Sequence, residues 1–152
     1  MNNNVSSLLA VEELNALTSA KHGDVFSILG MHHHPSDTGL LVRVFLPDAL
    51  SVDVVNCKTN EIVVRLDRVD QAGVFEGQLG NRQPFKYYLK TQYLNNSVET
   101  IDPYSFPCFI QEQDLYLFCE GTHEHVYQWM GAHAKEIDGV NGMLFVLWAP
   151  DA

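Results

Sequence analysis

Apolar residues recur with one spacing at the start of the chain and another from its second quarter onward. Leu8, Val11, Leu14 and Leu17 follow one another every three positions, with Glu12 and Glu13 early, where the helix dipole favours acidic groups. This spacing predicts a helix over residues 7–20, with Ser7 able to cap it and Gly23 closing the segment. From Gly39 the period is two. Leu41, Arg43 and Phe45 alternate with Leu40, Val42 and Val44, a strand buried on much of both faces, and Pro47-Asp48 ends it. Residues 52–55, 62–66 and 73–79 are further β-rich runs, with a turn-forming stretch at Lys58-Thr59-Asn60. In the longest run, 84–93, Phe85, Tyr87, Leu89 and Tyr93 share one face while Lys86, Tyr88, Lys90 and Gln92 share the other. Asn95-Asn96 turns the chain into a last short strand at 98–101. Short strands at intervals of about ten residues predict a mainly β chain, an antiparallel β-sandwich of immunoglobulin-like (E-set) type with an N-terminal helix. After Asp102-Pro103-Tyr104 the pattern predicts two short connector helices, at 111–119 and 124–130.

The opening strand returns near the end. Gly39-Leu40-Leu41-Val42-Arg43-Val44-Phe45-Leu46-Pro47-Asp48-Ala49 is echoed by Gly142-Met143-Leu144-Phe145-Val146-Leu147-Trp148-Ala149-Pro150-Asp151-Ala152, 103 residues later (142 − 39). Leu29-Gly30-Met31-His32 is echoed by Met130-Gly131-Ala132-His133, 101 residues later (131 − 30). A repeat of this length is one domain of ordinary size rather than a solenoid unit. The chain is therefore expected to hold one complete module and the first strand of another, and to be a piece of something longer.

Composition narrows the function. A net charge of −10, with nine basic residues in no cluster, counts against nucleic-acid binding and against adsorption to anionic lipid. Cys57, Cys108 and Cys119 are odd in number and widely spaced, as a reducing compartment permits. The start has no secretory signal pattern, and no apolar run approaches the roughly 20 residues needed to span a bilayer. The expectation is a soluble, cytoplasmic monomer.

Few residues suggest chemistry. His32-His33-His34 invites a metal reading, with His123 and His125 as further donors, but adjacent residues in an extended segment point to alternating sides. A solvated loop is the simpler reading, and neither a metal nor a cofactor is expected. Nothing sets two carboxylates apart as a glycosidase pair, and no nucleophile elbow, phosphate-binding loop or zinc-protease motif is present, so no catalytic residue is assigned. Aromatic side chains remain, because sugar faces stack on them. Tyr88, on the lysine-bearing face of its strand, is one candidate glycan contact and Trp129 the other, with packing between modules the competing role for Trp129. Trp148, as the counterpart of Phe45, is expected in a core.

An ordered series of motifs carries a family resemblance. His22-Gly23-Asp24-Val25-Phe26-Ser27-Ile28-Leu29-Gly30-Met31-His32, Val42-Arg43-Val44-Phe45-Leu46-Pro47-Asp48-Ala49, Asp102-Pro103-Tyr104-Ser105-Phe106, Glu120-Gly121-Thr122-His123 and Gly139-Val140-Asn141-Gly142 resemble the N-terminal region of bacterial 1,4-alpha-glucan (glycogen) branching enzyme. The chain departs from the family pattern at Val25, at Ser105-Phe106-Pro107-Cys108 and at Met143-Leu144. The resemblance implies a segment at 1–21 that is helical, an N-terminal β-sandwich at 22–102, a connector at 103–138 and the first strand of a family 48 carbohydrate-binding module at 139–152. It also implies a catalytic (β/α)₈ barrel, which takes about 250 residues and so lies outside these 152. The implied parent reaction, part of glycogen biosynthesis, cuts an α-1,4-glucan and transfers the piece to a 6-hydroxyl as an α-1,6 branch, with retention. The implied role of this part is to assist glucan binding and to influence transferred chain length, packing on downstream domains. The alternative is a stand-alone glycan-binding or protein-interaction module.

Overall fold

Residues 7–34, 39–107 and 109–150 are described by the computed structural model. They fall into two units, Met1–Ser105 and Phe106–Ala152. Strand β2 (Leu40–Phe45) organises the first unit, because it is buried on both sides. It lies between β1 (Gly30–His33) and β5 (Val74–Gly80), and the sheet continues through β4 (Ile62–Arg68), β3 (Ser51–Asn56), β6 (Tyr87–Gln92) and β7 (Ser97–Ile101) in the order β1-β2-β5-β4-β3-β6-β7. All six pairings are antiparallel. The bend is at β4, where residues up to Leu66 pair with β3 while Asp67 and Arg68 pair with β5. The sheet thereby becomes a sandwich of two layers.

Period-2 alternation sets the layer interface. Leu40, Val42, Val44, Phe75 and Leu79 from one layer meet Val52, Val54, Leu66, Tyr87 and Leu89 from the other. Gly77 belongs to this packing, since a Cβ there would lie 2.4 Å from Leu66 Cδ2. Gly77→Ala therefore overpacks the core and should cost about 1–3 kcal/mol, read as a lower urea midpoint at unchanged m-value.

The other side of β2 and β5 is covered by α1 (Val11–Thr18) and a 3₁₀ turn at Val25–Ser27. Leu17, Ile28, Leu29 and Val74 form this second cluster, with Leu14, Phe45 and Tyr104 packed against it. Helix α1 is shorter than its periodicity predicted, and Ser7 does not cap it. Ala10 holds the N-cap position without a side-chain bond, while Ser7 Oγ donates to Glu76 and accepts from the Leu9 amide. Strand β1 is a further difference, because it takes in His32 and His33, for which the sequence suggests a solvated loop.

In the second unit, α2 (Glu112–Cys119) and a 3₁₀ turn at Val126–Gln128 precede a hairpin of β8 (Gly131–Ile137) and β9 (Val140–Val146). The second predicted helix, 124–130, is thus only a single 3₁₀ turn, and β8 occupies residues read as connector. The hairpin closes at Asp138-Gly139, both at positive φ (56° and 85°), as a two-residue type I′ turn requires.

The internal repeat is longer than the sequence fragments that announced it. Val11–Thr18 and Glu112–Cys119 are helices 101 residues apart (112 − 11), and Val25–Ser27 and Val126–Gln128 are 3₁₀ turns at the same offset. Gly30 pairs with Arg43 and Gly131 with Val146, the equivalent register. Backbone bonds match too: Leu29 N–H donates to Val25 O and Met130 N–H to Val126 O, each 2.9 Å. Even the histidines repeat. His22 Nδ1 accepts from the Asp24 amide and His123 Nδ1 from the His125 amide, each 3.1 Å, while His32 Nε2 lies 2.8 Å from Leu29 O and His133 Nε2 2.9 Å from Met130 O.

Candidate functional site

The outward face of β4-β3-β6-β7 is built in rows, because directly paired residues of adjacent strands share a face. One row runs Ile62, Val55, Tyr88, Ile101. Beside it runs Arg65, Asp53, Lys90, Glu99, alternating in sign. Arg65 grips Asp53 with two bonds of 2.7 and 2.9 Å, and Lys90 Nζ lies 3.3 Å from Glu99. The Asp53 carboxylate pushes the Arg65 guanidinium further into its charged form by hydrogen bonding and by charge. The four charges cancel, so this row offers polar groups with no net charge although the chain carries −10. Tyr88 sits at the boundary between the two rows, half-buried, and its hydroxyl donates to Asn60 Oδ1 at 2.6 Å.

Trp129 lies in the second unit and Tyr88 in the first. The Trp129 ring stacks edge-on with Phe118 (5.8 Å) and His123 (5.9 Å), and Phe118 also meets Trp148 (5.3 Å). The His125 amide occupies His123 Nδ1, which leaves the neutral ring's proton on Nε2, facing Asp114 Oδ1 at 3.1 Å. The Trp129 indole N–H, 3.1 Å from that same Nε2, then competes for a nitrogen already used as a donor. Trp148 departs from its expected burial and is 59% exposed. Its counterpart Phe45 packs in a cluster containing Val74 and Tyr104, and β9 has no strand beside it comparable to β5 among the described residues.

The histidine run does not behave as a loop. His32 and His33 are strand residues of β1, on alternating sides, and His32 Nε2 is engaged by the Leu29 carbonyl. Among the described residues no group of three His, Cys, Asp or Glu side chains converges as a metal site. Cys108, Asp151 and Ala152 lie outside the described residues.

The titratable groups most displaced from ordinary behaviour are interior. Burial pushes the Asp102 carboxyl up, while hydrogen bonds from Tyr87 and the Tyr104 amide and the nearby His32 pull it back down. Burial and the Asp102 charge raise the Tyr87 hydroxyl, which donates to Asp102 Oδ2 at 2.5 Å. Asp102 is 1% exposed, so this pair fastens the end of β7 to β6 and has no access to a substrate.

Comparison with known proteins agrees with these motifs. Residues 10–104 match the family described as alpha-1,4-glucan branching enzyme GlgB, N-terminal domain. A 1,4-alpha-glucan branching enzyme GlgB from Shewanella sp. (strain W3-18-1) is 43% identical over 138 residues, 90% of this chain and 18% of the relative. The protein of that name from Shewanella sp. (strain MR-4) is 44% identical over the same length and shares of each chain. That from Rhodopseudomonas palustris is 42% identical over 141 residues, 93% of this chain and 19% of the relative. The chain thus spans about a fifth of the length of these curated relatives.

Proposed function

The chain belongs to the family of GlgB N-terminal domains, and from that premise we propose that it is the amino-terminal, non-catalytic part of a cytoplasmic, monomeric glucan branching enzyme. The parent transfers α-1,4-glucan segments into α-1,6 branches on a barrel outside these residues. The first unit is an immunoglobulin-like sandwich that helps hold glucan and biases the length of chain transferred. The second unit opens the carbohydrate-binding module that follows it and packs on downstream domains, a reading supported by the repeat of helix, 3₁₀ turn and hairpin. Extra contacts distant from the reacting bond raise the local concentration of glucan chains without altering the chemical barrier.

The observation that carries the glucan reading is the outward face of β4-β3-β6-β7. It combines an apolar row with a charge-balanced row of hydrogen-bonding side chains, which suits a large uncharged polyol. Trp129 is the second contact, through the ring that packs edge-on with Phe118 and His123. Affinity electrophoresis in gels containing glycogen tests this, with retardation of the 152-residue chain as the expected result. Migration indifferent to glycogen would leave the sandwich a structural role. In the parent, removal of residues 1–102 should shift the branch-length distribution while turnover on the barrel persists.

A further inference from the structure

Taking the glucan reading of Tyr88 as basis, we infer that Asn60 is the positioning residue that turns Tyr88 into a binding platform. It holds the phenol laid across β3, with one ring face down on Val55 and the other offered to a sugar ring. Val55 faces outward with Tyr88, yet it is 2% exposed, whereas its row neighbours Ile62 and Ile101 are 57% and 40% exposed. Within this row, something covers Val55 and leaves Ile62 and Ile101 open. Tyr88 stands directly opposite it on β6, and the Tyr88 hydroxyl reaches Asn60 in the β3–β4 turn, beyond β3. A ring stretched between those points crosses the strand over Val55. An aromatic ring held flat on an aliphatic floor keeps its second face for a ligand.

The turn that supplies Asn60 is fixed before any ligand arrives. Asn60 has φ 57°, a left-handed conformation that Asn tolerates better than most residues. Its amide donates to Asn56 O at 2.9 Å, and the Asn56 amide donates to Glu61 O at 3.0 Å. Asn56 Oδ1 accepts from the Lys58 and Thr59 amides, and the Cys57 amide donates across to Lys86 O. The Asn60 carboxamide therefore waits at a set place, and ordering cost on binding is small. The polarity of the bond also matters. Because Tyr88 gives its proton to Asn60 Oδ1, the phenol oxygen keeps lone pairs to accept from a sugar hydroxyl. The Asn60 Nδ2 group keeps N–H donors beside it. One edge of the platform thus presents an acceptor next to a donor, the pairing that vicinal sugar hydroxyls satisfy.

A double-mutant cycle on the 152-residue chain tests this, reading the dissociation constant for glycogen by affinity electrophoresis alongside the melting temperature. Tyr88→Ala should weaken binding at least about tenfold, since it removes both stacking and hydrogen bonding. Asn60→Gly, which retains the left-handed backbone, and Tyr88→Phe should each weaken it about three- to tenfold, with melting temperatures close to the parent chain's. The double variant Asn60→Gly/Tyr88→Phe should be weakened by less than the product of the single effects, because the bond between the two side chains is lost in both. Wild-type binding by Asn60→Gly, or a double variant weakened by the product of the single effects, would overturn the positioning role. If the chain is retarded by glycogen but Tyr88→Ala binds as well as wild type, the glucan reading stands and the platform falls. If the unaltered chain is not retarded, both fall together.

Discussion

Glu76→Ala should lower the stability of the chain by about 3–5 kcal/mol, because it strands a buried guanidinium. Arg43 and Glu76 are each 6% exposed, on the side of β2 and β5 covered by α1. Arg43 Nε donates to Glu76 Oε1 at 2.9 Å and its NH1 to Ile28 O at 3.0 Å. The same carboxylate accepts from Ser7 Oγ at 2.5 Å and from the Leu8 amide at 3.0 Å. One side chain thus neutralises the buried cation and ties down the segment leading into α1. Two measurements separate these roles. Urea unfolding should show the loss of stability, and hydrogen exchange should show the amides of residues 8–18 losing protection beyond the rest of the sheet. The internal repeat supplies the control: at the place of Arg43 the second copy has Val146, 8% exposed. Removing both charges, as Arg43→Val with Glu76→Val, should therefore recover most of the global stability while leaving residues 7 and 8 unfastened. A single Glu76→Ala variant as stable as wild type would mean that water reaches Arg43 and the pair is not buried.

The strands were legible because the apolar pattern of each reports which of its sides a core covers. Alternation along 84–93 correctly sent Tyr87 and Leu89 inward and Tyr88 and Lys90 outward, and the continuous apolar run at 40–45 signalled a strand covered on both sides. What escaped were elements whose signal is not hydrophobic. Strand β1 is four residues long and carries two histidines, so it has no alternation to read, and only its pairing with β2 identifies it. Strand β8 contains Ala132, Ala134, Lys135 and Glu136, poor strand formers stabilised by the partner strand β9. Here a usable signal existed, since Asp138-Gly139 ahead of an apolar strand is the chemistry of a type I′ hairpin.

The outward placement of Tyr88 was legible because its face could be assigned from the strand pattern. Its bond to Asn60 was not, because it depends on a turn being folded beside a strand 28 residues away. The repeat was legible where glycine recurs under a positive-φ requirement, as at Gly30 (97°) and Gly131 (100°). The helices flanking it were not, since Val11-Glu12-Glu13-Leu14 and Glu112-Gln113-Asp114-Leu115 share the fold with little identity.

Asp102→Ala should cost about 1–3 kcal/mol for each of the two donors it orphans, Tyr87 Oη–H and the Tyr104 amide. Its reach extends further, because Asp102 seats Tyr104, whose carbonyl oxygen would lie 2.8 Å from a Cβ on Gly30. Loosening that seat should expose the amides of β1 to exchange before those of β3 and β6. The pH dependence gives a sharper test. Burial is the largest influence on Asp102 and raises its folded-state pKa above the unfolded value of about 3.9, so between the two the native state holds the extra proton. Stability from this group is full below the unfolded pKa and declines as pH rises through the folded one. Asp102→Asn removes the titration while keeping much of the shape. The stability of wild type relative to Asp102→Asn, from urea midpoints at constant ionic strength, should therefore fall as pH is raised from 4 towards neutrality. The opposite slope, with wild type gaining on Asp102→Asn, would show that the bonds from Tyr87 and Tyr104 and the charge of His32 outweigh burial. Asp102 would then be an anchoring anion rather than a carboxyl held against its preference.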